Sequence, residues 1–174
     1  MLLDGYWKRD LIKFMRQLIF WSRRGGSIMQ KYAEHRINRY LLFSAAIIRK
    51  IVEDEEDAKK IIKKHQMHMP PLLVLKINIP VTRYQHMDED KFFVNSRVFL
   101  DDYDLKNGRA DTIPLMQVCN QIIHSYTWAV VHYGKRRIHG VLVASDREKE
   151  KDIILLTVSD WIRSIQKVIE DANI

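Results

Sequence analysis

The doublet Gly25-Gly26 stands between two stretches of helical hydrophobic period, and that punctuation restricts the fold more than any other feature. Before it, Trp7, Leu11, Phe14/Met15, Leu18 and Trp21 recur at intervals of three and four residues. This predicts a helix from roughly Tyr6 to Arg23 with one apolar face. Lys8, Arg9, Lys13 and Arg16 fall on the other face. Arg23-Arg24 puts positive charge at the helix C-terminus, where the macrodipole favours it, and the glycines then end the helix. Ser27 is a suitable N-cap for the next one. The second helix is predicted from about Ile28 to His65, with Ile37, Tyr40/Leu41, Ser44, Ile47/Ile48 and Ile51 as its stripe. The acidic run Glu53-Asp54-Glu55-Glu56-Asp57 marks a break, with a short new helix through Ala58 to Lys64, because acids favour a helix N-terminus.

Met69-Pro70-Pro71 closes the helical half. Residues 72–79 read as extended, and Pro80 limits that segment to an edge or an end. Residues 84–112 are polar and irregular except for Phe92-Phe93-Val94 and Arg97-Val98-Phe99, read as short strands or an insert on the bundle. Asn107-Gly108 signals a turn. Thr112 as cap and Pro114 in the first turn predict a third helix, with Leu115, Val118/Cys119, Ile122 and Tyr126 as its apolar face. Thr127 to Tyr133 is rich in β-branched and aromatic residues, and residues 140–145 and 153–158 are the clearest strands. The sign-alternating segment 146–152 joins those two as a hairpin, and Ser159 caps a last helix from Asp160 to about Ala172. The expected fold is α+β: a predominantly helical bundle of about four main helices, with an extended insert and a C-terminal antiparallel β-hairpin, in one domain over residues 1–174.

The charge is distributed unevenly. Residues 1–50 hold eleven Lys and Arg against three acids, a net of +8, whereas the remaining residues carry a net of −1. A one-sided basic region is the footprint expected of a polyanion binder; a solvated helix face is the plainer alternative. Arg36 and Arg39, three residues apart on the second helix, are candidates to line a phosphate groove, with Tyr32, Tyr40 or Trp21 available to stack bases.

Several classes are set aside. The single cysteine, Cys119, precludes a disulfide framework within the chain and argues against a Cys-based zinc site. His65 and His68 share helical spacing but sit beside prolines, so no metal and no cofactor are expected. Charges interrupt every candidate signal or membrane-spanning segment, and a cytoplasmic location is expected.

The segment with the most chemical content is Cys119-Asn120-Gln121-Ile122-Ile123-His124. Four residues separate Asn120 from His124, so both lie on one helix face. An imidazole there can exchange protons near neutral pH, and an amide can orient it. The segment resembles the Arg-Asn-x-x-x-His motif of HEPN-superfamily ribonucleases, with Cys119 where the family has arginine. The resemblance implies a helical bundle, a homodimer with two copies of His124 near a shared cleft, and RNA as partner. It further implies metal-independent attack by the 2′-OH, with His124 as general acid/base and Asn120 positioning it. A thiol cannot replace a guanidinium, so Arg36, Arg39 or Arg109 would have to supply the charge from elsewhere. Two alternatives remain: a non-catalytic scaffold that binds a protein through its aromatic helices, and a peripheral membrane role for helix one.

Overall fold

The computed structural model describes residues 5–24, 27–64, 76–87, 100–134 and 137–171. The first helix, α1, is Gly5–Ser22, and α2 is Ser27–Lys64. The apolar stripe of α1 faces inward. Leu11, Leu18 and Trp21 are buried, and Trp7, Phe14 and Met15 pack against the same cluster. The stripe of α2 does likewise through Ile37, Leu41, Ser44, Ile48 and Ile51.

Helix α2 runs unbroken for 38 residues, so the break expected at 53–57 does not form. The reason is local. Arg49 pairs with Glu53 and Lys50 with Asp54 across one turn, and Asp57 pairs with Lys60. Glu53 and Asp54 are thus the i+4 partners of earlier bases, and Asp57 is the i−3 partner of a later one, rather than the start of a new helix.

The strands are β1 (Asn78–Gln85), β2 (Arg109–Pro114), β3 (Ser125–Tyr133), β4 (Arg137–Ser145) and β5 (Asp152–Thr157). The remaining helices are α3 (Leu115–Ile123) and α4 (Val158–Asp171). All five strands join one antiparallel sheet in the order β2-β1-β5-β4-β3. The expected bundle with an extended insert and a C-terminal hairpin is thereby corrected. β4 and β5 do pair, but β5 also takes β1, with Thr82 opposite Leu155, and β4 also takes β3. The apolar run in β5 has the cause expected of a central strand: Ile154 and Leu156 face the helices, while Ile153 and Leu155 join a second cluster on the far face.

Strand β2 escapes a sequence reading because it is a polar edge, Arg-Ala-Asp-Thr-Ile-Pro, with Ile113 its buried residue. Thr112, read as a helix cap, pairs instead with Pro80 in the ladder, and Pro114 is the residue before α3. Pro80 itself lies where β1 has a single neighbour, since pairing with β5 begins at Thr82. The turn expected at Asn107-Gly108 falls two residues earlier, at Leu105-Lys106, closed by the Asn107 N–H donating to the Asp104 carbonyl at 3.3 Å. The segments 92–94 and 97–99 lie outside the described residues, as does most of 72–77.

Helices α1, α3 and α4 lie against one sheet face, and α2 packs on α1 and α3 behind them. Two buried hydrogen bonds tie the layers. Trp161 Nε1 of α4 donates to Ser44 Oγ of α2 at 2.9 Å, and the Ser145 N–H of β4 donates to Gln121 Oε1 of α3 at 2.6 Å. Thr157, two residues earlier than the expected Ser159, caps α4: its Oγ1 accepts from the Asp160 N–H at 3.0 Å and donates to Asp160 Oδ2 at 2.5 Å. On the far sheet face, Tyr103 is buried over Leu142 and Ile153, and its hydroxyl donates to the Lys149 carbonyl at 2.5 Å.

Candidate nucleic-acid interface

With its apolar stripe committed to the core, α1 presents a second stripe outward. Tyr6, Arg9, Lys13, Arg16 and Phe20 are all exposed, at alternating intervals of three and four residues. Helix α2 contributes Tyr32, His35, Arg39 and Phe43, also exposed. Ring contacts connect the helices. Trp21 meets Phe20 edge-on at 5.0 Å and Tyr32 at 5.2 Å, and Phe14 lies 5.8 Å from Phe43.

Each of four exposed rings carries an arginine. Arg9 lies over Tyr6 at 5.0 Å, Arg24 over Phe20 at 4.0 Å, Arg36 over Tyr32 at 4.7 Å and Arg39 over Phe43 at 5.2 Å. These cation–π contacts keep each guanidinium beside a surface ring. Arg36 also donates to the Tyr32 hydroxyl. Among the described residues, no carboxylate pairs with Arg9, Lys13, Arg16, Arg24 or Arg39. Glu34, the one acid in the first half of α2, is turned away: it accepts from His132 Nε2 of β3 at 2.9 Å and from the Gln30 amide at 3.2 Å.

Of the arginines singled out from the sequence, Arg36 and Arg39 belong to this surface. Arg109 does not. It stands on the edge strand β2, opposite Arg83 of β1. Of the rings offered for stacking, Tyr32 is exposed, whereas Trp21 is 9% exposed and serves the core. Tyr6, Phe20 and Phe43 were missed, as was their pairing with arginine. The signal was present: every ring–arginine pair has i, i+3 or i, i+4 spacing.

The Asn120/His124 segment is arranged differently from expectation. Helix α3 ends at Ile123, and His124 is its C-cap, with its N–H donating to the Asn120 carbonyl at 3.0 Å. Both side chains are exposed. Cys119 is fully buried, and burial pushes its thiol up to about 12, so it is no nucleophile. The guanidinium beside His124 comes from Arg49 of α2: its Nη1 lies 3.1 Å from His124 Nε2. Arg49 Nε donates to Glu53 at 2.7 Å, so its charge is shared with a carboxylate.

A shallow open depression of about 340 Å³ lies on the far sheet face, lined by Pro80, Thr82, Ala110, Thr112 and Leu155, with Asp111 and Asp160 at its margin. Both carboxylates are engaged, by Arg83 and by Thr157 with Arg163. Among the described residues, no group of three or more His, Cys, Asp or Glu is placed to hold a metal ion, and no helix is long and apolar enough to cross a membrane. Comparison with family models, with curated proteins and with solved structures finds no match to the chain.

Proposed function

We propose that this chain binds nucleic acid through the outward face of α1 and α2. The observation that carries the reading is the set of four arginines, each laid on an exposed aromatic ring along one pair of helices. Guanidiniums so placed are pre-oriented donors for phosphate oxygens, and Lys13 and Arg16 extend the same stripe. A membrane surface is the less suitable partner. The apolar face of α1 is consumed by the core, and Arg9, Lys13, Arg16 and Arg39 lie among the exposed rings.

The test is fluorescence anisotropy with a labelled RNA oligomer. Replacing Arg9, Lys13, Arg16 and Arg39 together by Gln is expected to weaken binding about tenfold or more at moderate salt. Unchanged affinity, or binding to anionic vesicles with none to RNA, would sink the reading. Salt-insensitive association with a protein would favour the scaffold alternative.

RNA cleavage is a second reading, favoured by one contact: Arg49 brings to His124 a guanidinium that position 119 lacks. Its test is the appearance of cyclic-phosphate ends from the same oligomer. They should be lost in His124→Ala and in Arg49→Ala, while Asn120→Ala should slow their formation.

A further inference from the structure

We infer that the α1–α2 face selects unpaired over paired strands, with bases stacked on the Tyr6, Phe20, Tyr32 and Phe43 rings while the arginines hold the phosphates. The inference rests on the nucleic-acid reading above and names the substrate class of that surface. The rings carry the argument. Tyr6 is 66% exposed, Phe20 42%, Tyr32 43% and Phe43 39%, so each offers free area beyond what its arginine covers.

A duplex has no use for these rings. Its bases are stacked inside, and it presents phosphate to the protein. A face built for duplex phosphates alone gains nothing from projecting apolar rings among its cations. An unpaired strand offers π-faces as well as charge, and both aromatic rings and guanidinium planes accept them. The layout also suits a strand. Tyr6 and Phe20 are fourteen residues apart on one helix, which is about 21 Å of helical rise and room for several nucleotides. Phe20, Trp21 and Tyr32 form a ring cluster at the turn end of the two helices, and Phe14 with Phe43 forms another midway. The stacking surface is thus distributed along the path that Arg9, Lys13 and Arg16 define.

Three probes separate the outcomes: a single-stranded uridine oligomer, an RNA duplex of the same length, and inorganic polyphosphate. The single strand is expected to bind about tenfold or more tightly than the duplex at equal salt, with polyphosphate a weak competitor. The double variant Phe20→Leu/Tyr32→Leu should lose about tenfold for the single strand while keeping the salt slope of the parent. If that double variant does not fold, Tyr6→Leu and Phe43→Leu, each alone, carry the same test. Equal or tighter duplex binding, with the leucine variants unaffected, would overturn the inference and leave the nucleic-acid reading standing. No binding of either oligomer would overturn both.

Discussion

Arg49 Nη1 lies 3.1 Å from His124 Nε2, joining α2 to the residue that ends α3. A guanidinium has donors and no acceptor, so Nε2 must accept and the ring proton sits on Nδ1. Protonation of Nε2 would set one donor against another and break the contact. Nitrogen-15 NMR of His124 is therefore expected to report the Nδ1–H tautomer in the parent protein. In Arg49→Ala that bias should disappear. A parent His124 carrying its proton on Nε2 would contradict the contact.

Cys119 should be chemically silent in the folded state. It is fully buried, and burial raises its thiol to about 12. A thiol-reactive dye is expected to leave the native protein unlabelled and to label one equivalent after denaturation. Labelling under native conditions at a rate near that of a free thiol would show that α3 is not packed as described.

Removing the Ser44 hydroxyl should destabilise the junction of α2 and α4. Trp161 is fully buried and its indole N–H donates to Ser44 Oγ. Ser44→Ala leaves that donor without its partner, at a cost of about 1–3 kcal/mol. A chemical-denaturation midpoint that falls, with an unchanged slope, is the expected result. An unchanged midpoint would mean that the bond contributes nothing net.

Gly140 cannot gain a side chain without movement of β5. A Cβ there would stand 2.4 Å from the Leu156 carbonyl oxygen. Gly140→Ala is expected to cost about 1–3 kcal/mol as an overpacking defect. Gly134 is the contrast. Its φ of 63° lies in the left-handed region and its Cβ position is open, so alanine there meets backbone strain and no clash. Amide hydrogen exchange of the two variants separates the mechanisms, because a β-ladder clash should speed exchange in β4 and β5, and turn strain should not.

Acid should weaken the sheet through Arg83. This side chain donates to Asp111 and, through Nη1, to both oxygens of Asp152. The Thr112 N–H and then Arg83 hold the Asp111 carboxyl below its usual value of 3.8. A lowered folded value means that the contribution is complete above the unfolded value. It is lost as pH falls from there through the folded value. Stability is therefore expected to decline below about pH 4 in the parent, and the Asp111 share of that decline to shrink in Arg83→Gln. Equal acid slopes in the two proteins would contradict the coupling.

The two long helices were legible because their apolar stripes recur with helical period and a glycine doublet separates them. The sheet was legible only in its centre. β4 and β5 announce themselves through apolar runs, but β2 is a polar edge whose Thr112 and Pro114 look like the start of a helix. Which strands neighbour one another depends on long-range pairing such as Thr82 with Leu155, and local pattern carries no record of that. The surface was partly legible. Net charge pointed to the first fifty residues, where the ring–arginine pairs lie, and Arg36 and Arg39 are two of those arginines. The arginine beside His124 was not, since residues 75 positions apart meet through the packing of α2 on α3.

The most direct measurement is the salt dependence of RNA affinity, compared between the parent and the variant lacking Arg9, Lys13, Arg16 and Arg39. For single strands, each phosphate contact contributes about −0.7 to the slope of log affinity against log salt. The parent is expected to show a steep slope, and the variant a slope shallower by about two to three units. A parent slope near zero, or identical slopes in the two proteins, would show that the α1–α2 face is not where nucleic acid binds.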